Sequence, residues 1–425
     1  MTTVTTAPQL TTNVVGLRCR ECGTEEELGA HHACGFCFGP LEVVYDETLV
    51  AARASRGAIA AGPANLWRYA PLLPALRDGP VPDDLGTGFT RLVAAPRLAA
   101  RLGLGELWLK DDTRNPSGSF KDRVVSVALQ AAHALGIGTL ACASTGNLAN
   151  AVAAHAARAG MPAYVFVPDD LEQAKIVTSA VYGANLVAVR GTYDDVNRLC
   201  AEVADARGWG FVNVNLRPYY AEGSKTLGFE IAEQLGWRLP DHVVVPVASG
   251  AQLTKVHKAF EELVRYGLVD DHPVRISGAQ PAGCNPVAAA YAAGVDDVLP
   301  VKPETIAKSL AIGNPADGYY ALRAVRQTGG AVADVTDDEI RAGMRLLAET
   351  EGIFAETAGG VTIATLRKLA REGVVRADER VVALVTGNGL KTVESLIGHV
   401  GPTVAIPPSL EAFERALPAT AGGAA

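Results

Sequence analysis

The sequence predicts an α/β protein whose parallel sheets are covered by helices on both faces. Three observations predict it. Short, almost wholly apolar runs such as Val243–Val247 and Val381–Val385 alternate with stretches of helical periodicity. Loops of small residues and glycine follow several of these runs. The chain has 425 residues, 48% of them hydrophobic, which is more than one typical domain needs and points to two α/β units with small appendages.

Residues 1–16 read as a disordered lead, and a cysteine pattern follows from Cys19 to Cys37. Leu107–Lys110 is a short strand. Phe120–Leu135 reads as a helix, because Val124, Ala128, Ala131 and Leu135 recur at helical spacing and Gly136 ends the run. Thr139–Ala143 is a strand and Asn147–Ala159 a helix closed by Gly160. Strands follow at Ala163–Val167 and Leu186–Val189, then a helix at Tyr193–Arg207 and a strand at Phe211–Val214. Val243–Val247 leads through a small-residue turn into a helix at Leu253–Tyr266, and Val381–Val385 is the last strand. In sheets of this kind ligands sit at the carboxyl ends of strands, so the loops after each strand carry the chemistry.

The formal net charge is −8, which argues against nucleic acid as the main partner. No apolar run approaches the roughly 20 residues of a membrane helix, and the Thr-rich start lacks the features of a secretory signal. Seven cysteines without an export signal place the chain in a reducing cytoplasm. Cys19-x2-Cys22 and Cys34-x2-Cys37 are paired knuckles with the spacing of a zinc ribbon, able to set four thiolates around Zn²⁺. Four protein ligands leave no open position, so such a site is structural. His31 and His32 lie between the knuckles as bystanders.

Three loops hold the candidate site. Asn115-Pro-Ser-Gly-Ser-Phe-Lys121-Asp-Arg123 opens the first strong helix, with Ser119 as its expected cap. Lys121 then sits in the first turn, where the helix dipole disfavours a cation and so favours the neutral amine of Schiff-base chemistry. Ser144-Thr145-Gly146-Asn147 follows a strand and opens a helix, which is an anion site made of hydroxyls and backbone N–H groups. Ala248-Ser249-Gly250-Ala251-Gln252 follows the strand Val243–Val247, and its small residues let backbone approach a phosphate.

These motifs together resemble the threonine synthases, and more broadly the pyridoxal-phosphate (PLP) enzymes of fold type II. The likeness runs from about Cys19 to Val400 and includes Thr386-Gly-Asn-Gly-Leu-Lys391. A subgroup of the family is similar in its N-terminal cysteines and in the Gly39–Asp46 run.

The resemblance implies two doubly wound open sheets with the cofactor between domains, and a small zinc-ribbon-like segment ahead of them. It divides the chain into that segment at 17–45, a large PLP-binding domain at 46–113 and 214–403, a small domain at 114–213, and a partly disordered tail at 404–425. It implies that Lys121 carries PLP as a Schiff base, with Phe120 beside it. It gives the substrate α-carboxylate to Ser144, Thr145, Gly146 and Asn147, with Ser117 nearby, and has Asn147 touch the cofactor's ring oxygen. Residues 248–252 take the cofactor phosphate, although many relatives are richer in Gly and Asn there. Thr386 bonds the pyridine nitrogen.

Asn215-Leu-Arg217-Pro-Tyr-Tyr-Ala-Glu-Gly-Ser-Lys225-Thr is similar to a segment that meets a substrate phosphate, with its arginine shifted relative to some relatives. Arg217, Lys225 and Lys308 are the cations implied.

The implied reaction converts O-phospho-L-homoserine and water to L-threonine and phosphate, in a homodimer. A cysteate-synthase-like enzyme acting on O-phosphoserine, or a threonine-dehydratase-like one, would keep the same cofactor machinery. A silent binding protein is a different class, disfavoured by the joint presence of Lys121, Asn147 and Thr386.

Overall fold

The computed structural model describes residues 12–76, 83–144, 146–169, 173–190 and 193–416. The cysteine segment forms an antiparallel sheet of β1 (Val14–Cys19), β2 (Glu25–Glu26) and β3 (Leu41–Tyr45), ordered β2-β1-β3. β1 begins inside the stretch expected to be a disordered lead. Val14 and Leu17 are buried there in the same core as Leu66, Trp67, Leu227 and Phe229, so burial of apolar side chains outweighs the polar start.

The strands that follow are β4 (Arg91–Ala94), β5 (Glu106–Asp111), β6 (Leu140–Ala143), β7 (Ala163–Pro168), β8 (Asn185–Val189), β9 (Gly210–Phe211), β10 (His242–Pro246), β11 (Arg275–Pro281), β12 (Val332–Val335) and β13 (Arg380–Val385). β6 to β9 make a parallel sheet in the order β8-β7-β6-β9. The other sheet runs β12-β11-β10-β13-β5-β4, parallel except for β4 against β5. β10 and β13 are the expected continuous apolar runs, buried because helices cover both faces.

One expectation is corrected. The strand foreseen at Phe211–Val214 stops at Phe211. The Asn215 side chain accepts from Phe211 N at 2.8 Å and donates to Trp209 O, closing a turn that ends the ladder. Within the tail, Leu410–Ala416 is a helix, and the end expected to be disordered, 417–425, lies outside the described residues.

One buried ion cluster fixes the helix that follows β5, Lys121–Ala134. Arg123 is fully buried and donates from Nε and Nη2 to Asp112 at 2.8 Å. It also bonds Glu230, on the helix Lys225–Gln234, and that carboxylate meets Lys110 Nζ of β5 at 2.6 Å. The first turn of the helix is thereby clamped to the end of β5.

Candidate active site

The loop before Lys121 zips onto the end of β13. Gly118 has φ +78°, a backbone shape that favours glycine, and its carbonyl accepts from Asn388 N at 2.9 Å. Ser119 pairs with Gly387, and Phe120 N donates to Thr386 O at 2.8 Å. This places Lys121, from one chain region, beside Thr386, from another. Ser119 is not the cap that the sequence predicted. Phe120 holds that position with no side-chain bond of its own, and Ser119, one residue earlier, accepts from Lys121 N through its Oγ at 3.4 Å. Lys121 is the first helical residue, and its Nζ donates to the Tyr220 hydroxyl at 3.2 Å.

A carboxyl group that the sequence reading missed sits among these residues. Glu356 is 2% exposed. Its Oε2 accepts from Asn147 Nδ2 at 2.7 Å and its Oε1 from Thr386 Oγ1 at 3.3 Å. Burial pushes its carboxyl above the ordinary range, a rise partly countered by Asn147, Lys391, Thr386 and Lys121. Gly387 lets it in, since a Cβ there would lie 2.5 Å from the carboxyl carbon. Lys391 lies close by, donating to Asn150 Oδ1 at 2.9 Å, and burial lowers its pKa.

Ser117 is anchored on the same side. Its N and Oγ both bond Asp122 Oδ2 at 2.9 Å, and buried His155 takes the other oxygen at 3.1 Å. Ser144 follows β6, its Oγ 3.4 Å from Gly146 N, and Gly146 caps the helix Asn147–Arg158. Thr145 lies outside the described residues.

Ala248 and Ser249 lead from β10 into Gly250, the cap of the helix Ala251–Arg265. Gly250 has φ +96°, and a Cβ would lie 2.5 Å from Asp317 O. Only glycine fits this turn. No side chain caps the first helical turn, so its N–H groups, beside the small Ala251, are available as donors. Gln252 Nε2 is buried with no hydrogen-bond partner among the described residues. A donor surface for a phosphate, an amine, and an Asn–Glu–Thr set for ring heteroatoms fit pyridoxal phosphate.

The three expected phosphate cations separate. Arg217 is partly exposed and bonds Asp317. Lys308 is exposed at the start of a 3-10 turn. Lys225 is the correction. It is fully buried and gives its N–H groups to Leu72 O at 2.7 Å and to Glu262 at 2.9 Å, with Glu222 at 2.7 Å and Tyr45 Oη at 3.2 Å. An ammonium has three donors, so none remains for a substrate phosphate.

The four thiols of Cys19, Cys22, Cys34 and Cys37 lie within 4.8 Å of one another, with Cys19–Cys37 at 3.4 Å and Cys22–Cys34 at 3.7 Å. Four sulfurs around tetrahedral Zn²⁺ would be roughly 3.8 Å apart, so the donor set and spacing fit that ion. Neither His31 nor His32 belongs to the cluster.

Residues 84–387 match the family described as pyridoxal-phosphate dependent enzyme. The chain is 36% identical over 404 residues to a threonine synthase of Methanosarcina acetivorans, covering 94% of this chain and 98% of that protein. It is 35% identical over 402 residues to a threonine synthase of Methanocaldococcus jannaschii, with the same coverage. Among solved structures, maize serine racemase superposes with a TM-score of 0.59 at 23% identity, over 73% of this chain and 93% of that one, a likeness of fold.

Proposed function

The chain belongs to the pyridoxal-phosphate-dependent enzymes and, within them, to the threonine synthase family, and from that premise we propose that it converts O-phospho-L-homoserine and water to L-threonine and phosphate. The observation that carries this reading is identity with threonine synthases along nearly the whole of both chains. The Lys121 site supports it independently.

When bound, pyridoxal phosphate supplies an aldehyde that condenses with an amine and a ring that spreads the electron pair left by a departing proton. Lys121 anchors the cofactor. Its amine also takes the α-proton of the substrate and serves the neighbouring carbon, because one amine held over one face reaches both. The Tyr220 hydroxyl, 3.2 Å from Nζ, aims that amine. Asn147 and Thr386 present an amide and a hydroxyl to the ring, while the helix start at Gly250–Gln252 takes the cofactor phosphate. Ser144 and Gly146 hold the substrate carboxylate and Arg217 meets its phosphate, while Ser117, whose N–H and hydroxyl are both given to Asp122, braces the loop beside them.

Glu356 orients Asn147 and Thr386 together. Glu356→Ala removes the acceptor of both, and its affinity for pyridoxal phosphate is expected to fall about tenfold or more. Titration of the cofactor into the apoprotein, followed by absorbance, checks this. Affinity within twofold of wild type would remove Glu356 from the site.

The cysteine cluster is proposed to hold one structural zinc per chain. Cys34→Ser, at a buried ligand, is expected to lose the metal and lower the melting temperature. Elemental analysis and thermal melts test both, and a purified protein without metal would overturn the assignment. The family reading also carries a homodimer and a cytoplasmic place. Among the described residues no helix is long and apolar enough to cross a membrane.

The function itself is tested by product analysis. Threonine and phosphate in equal amounts from O-phospho-L-homoserine are expected. A protein that binds the cofactor but gives neither product overturns the substrate, and O-phospho-L-serine becomes the next compound to try.

A further inference from the structure

We propose that Arg20, a residue of the cysteine segment, pairs with Arg217 to form the phosphate-binding end of the substrate site. The inference rests on the reading of a phosphorylated substrate given above. Arg20 lies between Cys19 and Cys22 but turns inward, with its side chain 20% exposed. Its Nη1 is 3.4 Å from Asp317 Oδ1, its Nε is 3.4 Å from Glu42 Oε1, and its guanidinium lies 3.5 Å above the Tyr320 ring.

Arg217 bonds the other oxygen of the same carboxylate. One buried aspartate therefore holds two guanidinium groups side by side. Together with Lys255 and His32 they line a shallow, solvent-open cleft between the cysteine segment and the helix Arg217–Glu222.

The cleft is in the right place. Arg217 opens the helix Arg217–Glu222, and Tyr220 stands one turn further along it. One turn is about 5 Å, and residues three apart share a face. Tyr220 touches the Lys121 amine. In a phosphorylated four-carbon amino acid, five bonds separate the amine from the phosphorus, roughly 6 Å when extended. A substrate whose amine lies near Lys121 thus brings its phosphate to Arg217. Asp317 also borders the cofactor cradle, donating from its N to Ser249 O at 2.8 Å, so one residue adjoins both cleft and cradle.

The donors remain to be used. A guanidinium carries five N–H groups, and the contacts with Asp317 and Glu42 leave some free on both arginines. Two forks converging on a dianion make short, charge-assisted bonds. Lys255 is already committed to Glu42 and Glu222 at 2.8 and 2.7 Å. The cysteine sheet is fixed against the same helix, since the Tyr219 hydroxyl bonds both N and O of Gly29. The segment is then part of the substrate site rather than an appendage.

The test uses the full-length, cofactor-loaded protein and inorganic phosphate. In calorimetry, Arg20→Gln is expected to weaken phosphate binding at least about tenfold, and Arg20→Lys by a smaller factor, because charge is kept and the fork lost. Zinc content and melting temperature stay as in wild type. In turnover, the KM for O-phospho-L-homoserine rises by the same factor while kcat changes by less than about twofold.

Phosphate affinity and KM within twofold of wild type in Arg20→Gln overturn the proposal, as does a wild-type protein that binds no phosphate. If Arg20→Gln does not fold, unchanged phosphate affinity in Arg20→Lys overturns it. Arg20-dependent phosphate binding without turnover would leave the clamp standing and remove the proposed reaction. Turnover insensitive to Arg20 would do the reverse.

Discussion

Lys121→Ala is expected to lose the absorbance of lysine-bound cofactor and to lower turnover by ~10³-fold or more, with the fold intact. Both losses follow from one amine. In the proposed mechanism it both anchors the cofactor and takes the α-proton, so no second group retains half the function. The fold survives because, among the described residues, the Nζ makes one side-chain hydrogen bond, to the Tyr220 hydroxyl, while the helix start is held by backbone bonds and by Arg123. The measurement discriminates because a second lysine stands near. Lys391 is also beside Glu356, and burial makes its neutral form easier to reach. Geometry and motif favour Lys121, which the loop presents at the start of a helix against Thr386. Lys391→Ala is therefore expected to keep the chromophore that Lys121→Ala loses. The opposite pattern would move the anchor to Lys391 and overturn the mechanism.

What the sequence made legible was local. Helix Lys121–Ala134 could be read because its apolar spacing and its glycine stop are contained in the segment itself. The buried runs of β10 and β13 are equally self-contained. What it hid was set by distant partners. Glu356 reads as an ordinary polar residue before a helix, and its importance arises from Asn147, 209 positions earlier, and Thr386, 30 positions later. Tyr220 lies in a segment already singled out, but its partner is 99 positions away.

Lys225 shows the converse. Its motif is unchanged by context, yet Glu262 on another helix and Leu72 O bury it in an ion cluster and take its donors. Arg20 is not singled out by the sequence, and its meeting with Asp317, 297 positions away, depends on the packing of the cysteine segment.

The second large effect concerns what holds the site rather than what reacts in it. Arg123→Met is expected to cost about 3–5 kcal/mol, because it strands Asp112 and Glu230 in the interior with Lys110 as their remaining cation. A drop in melting temperature of roughly 3–6 °C would report it. The double variant with Glu230→Gln should recover part of the loss, since it removes one unpaired charge rather than restoring a contact.

Acid gives an independent check. Burial opposes ionisation of Glu230, but Arg123 and Lys110 outweigh it and hold the carboxyl down from 4.5 to about 2. A depressed folded pKa stabilises fully above the unfolded value and loses that contribution as pH falls through the folded one. The cluster should therefore give up about 3 kcal/mol between pH 4.5 and 2 in the wild type. Without Arg123 the carboxyl is no longer held down as strongly, and protonation relieves a buried charge. The stability gap between wild type and Arg123→Met should narrow as pH falls through this window. Denaturation curves that stay parallel would mean that Arg123 acts through packing and not through charge. Its place in the first turn beside Lys121 would then owe nothing to the ion cluster.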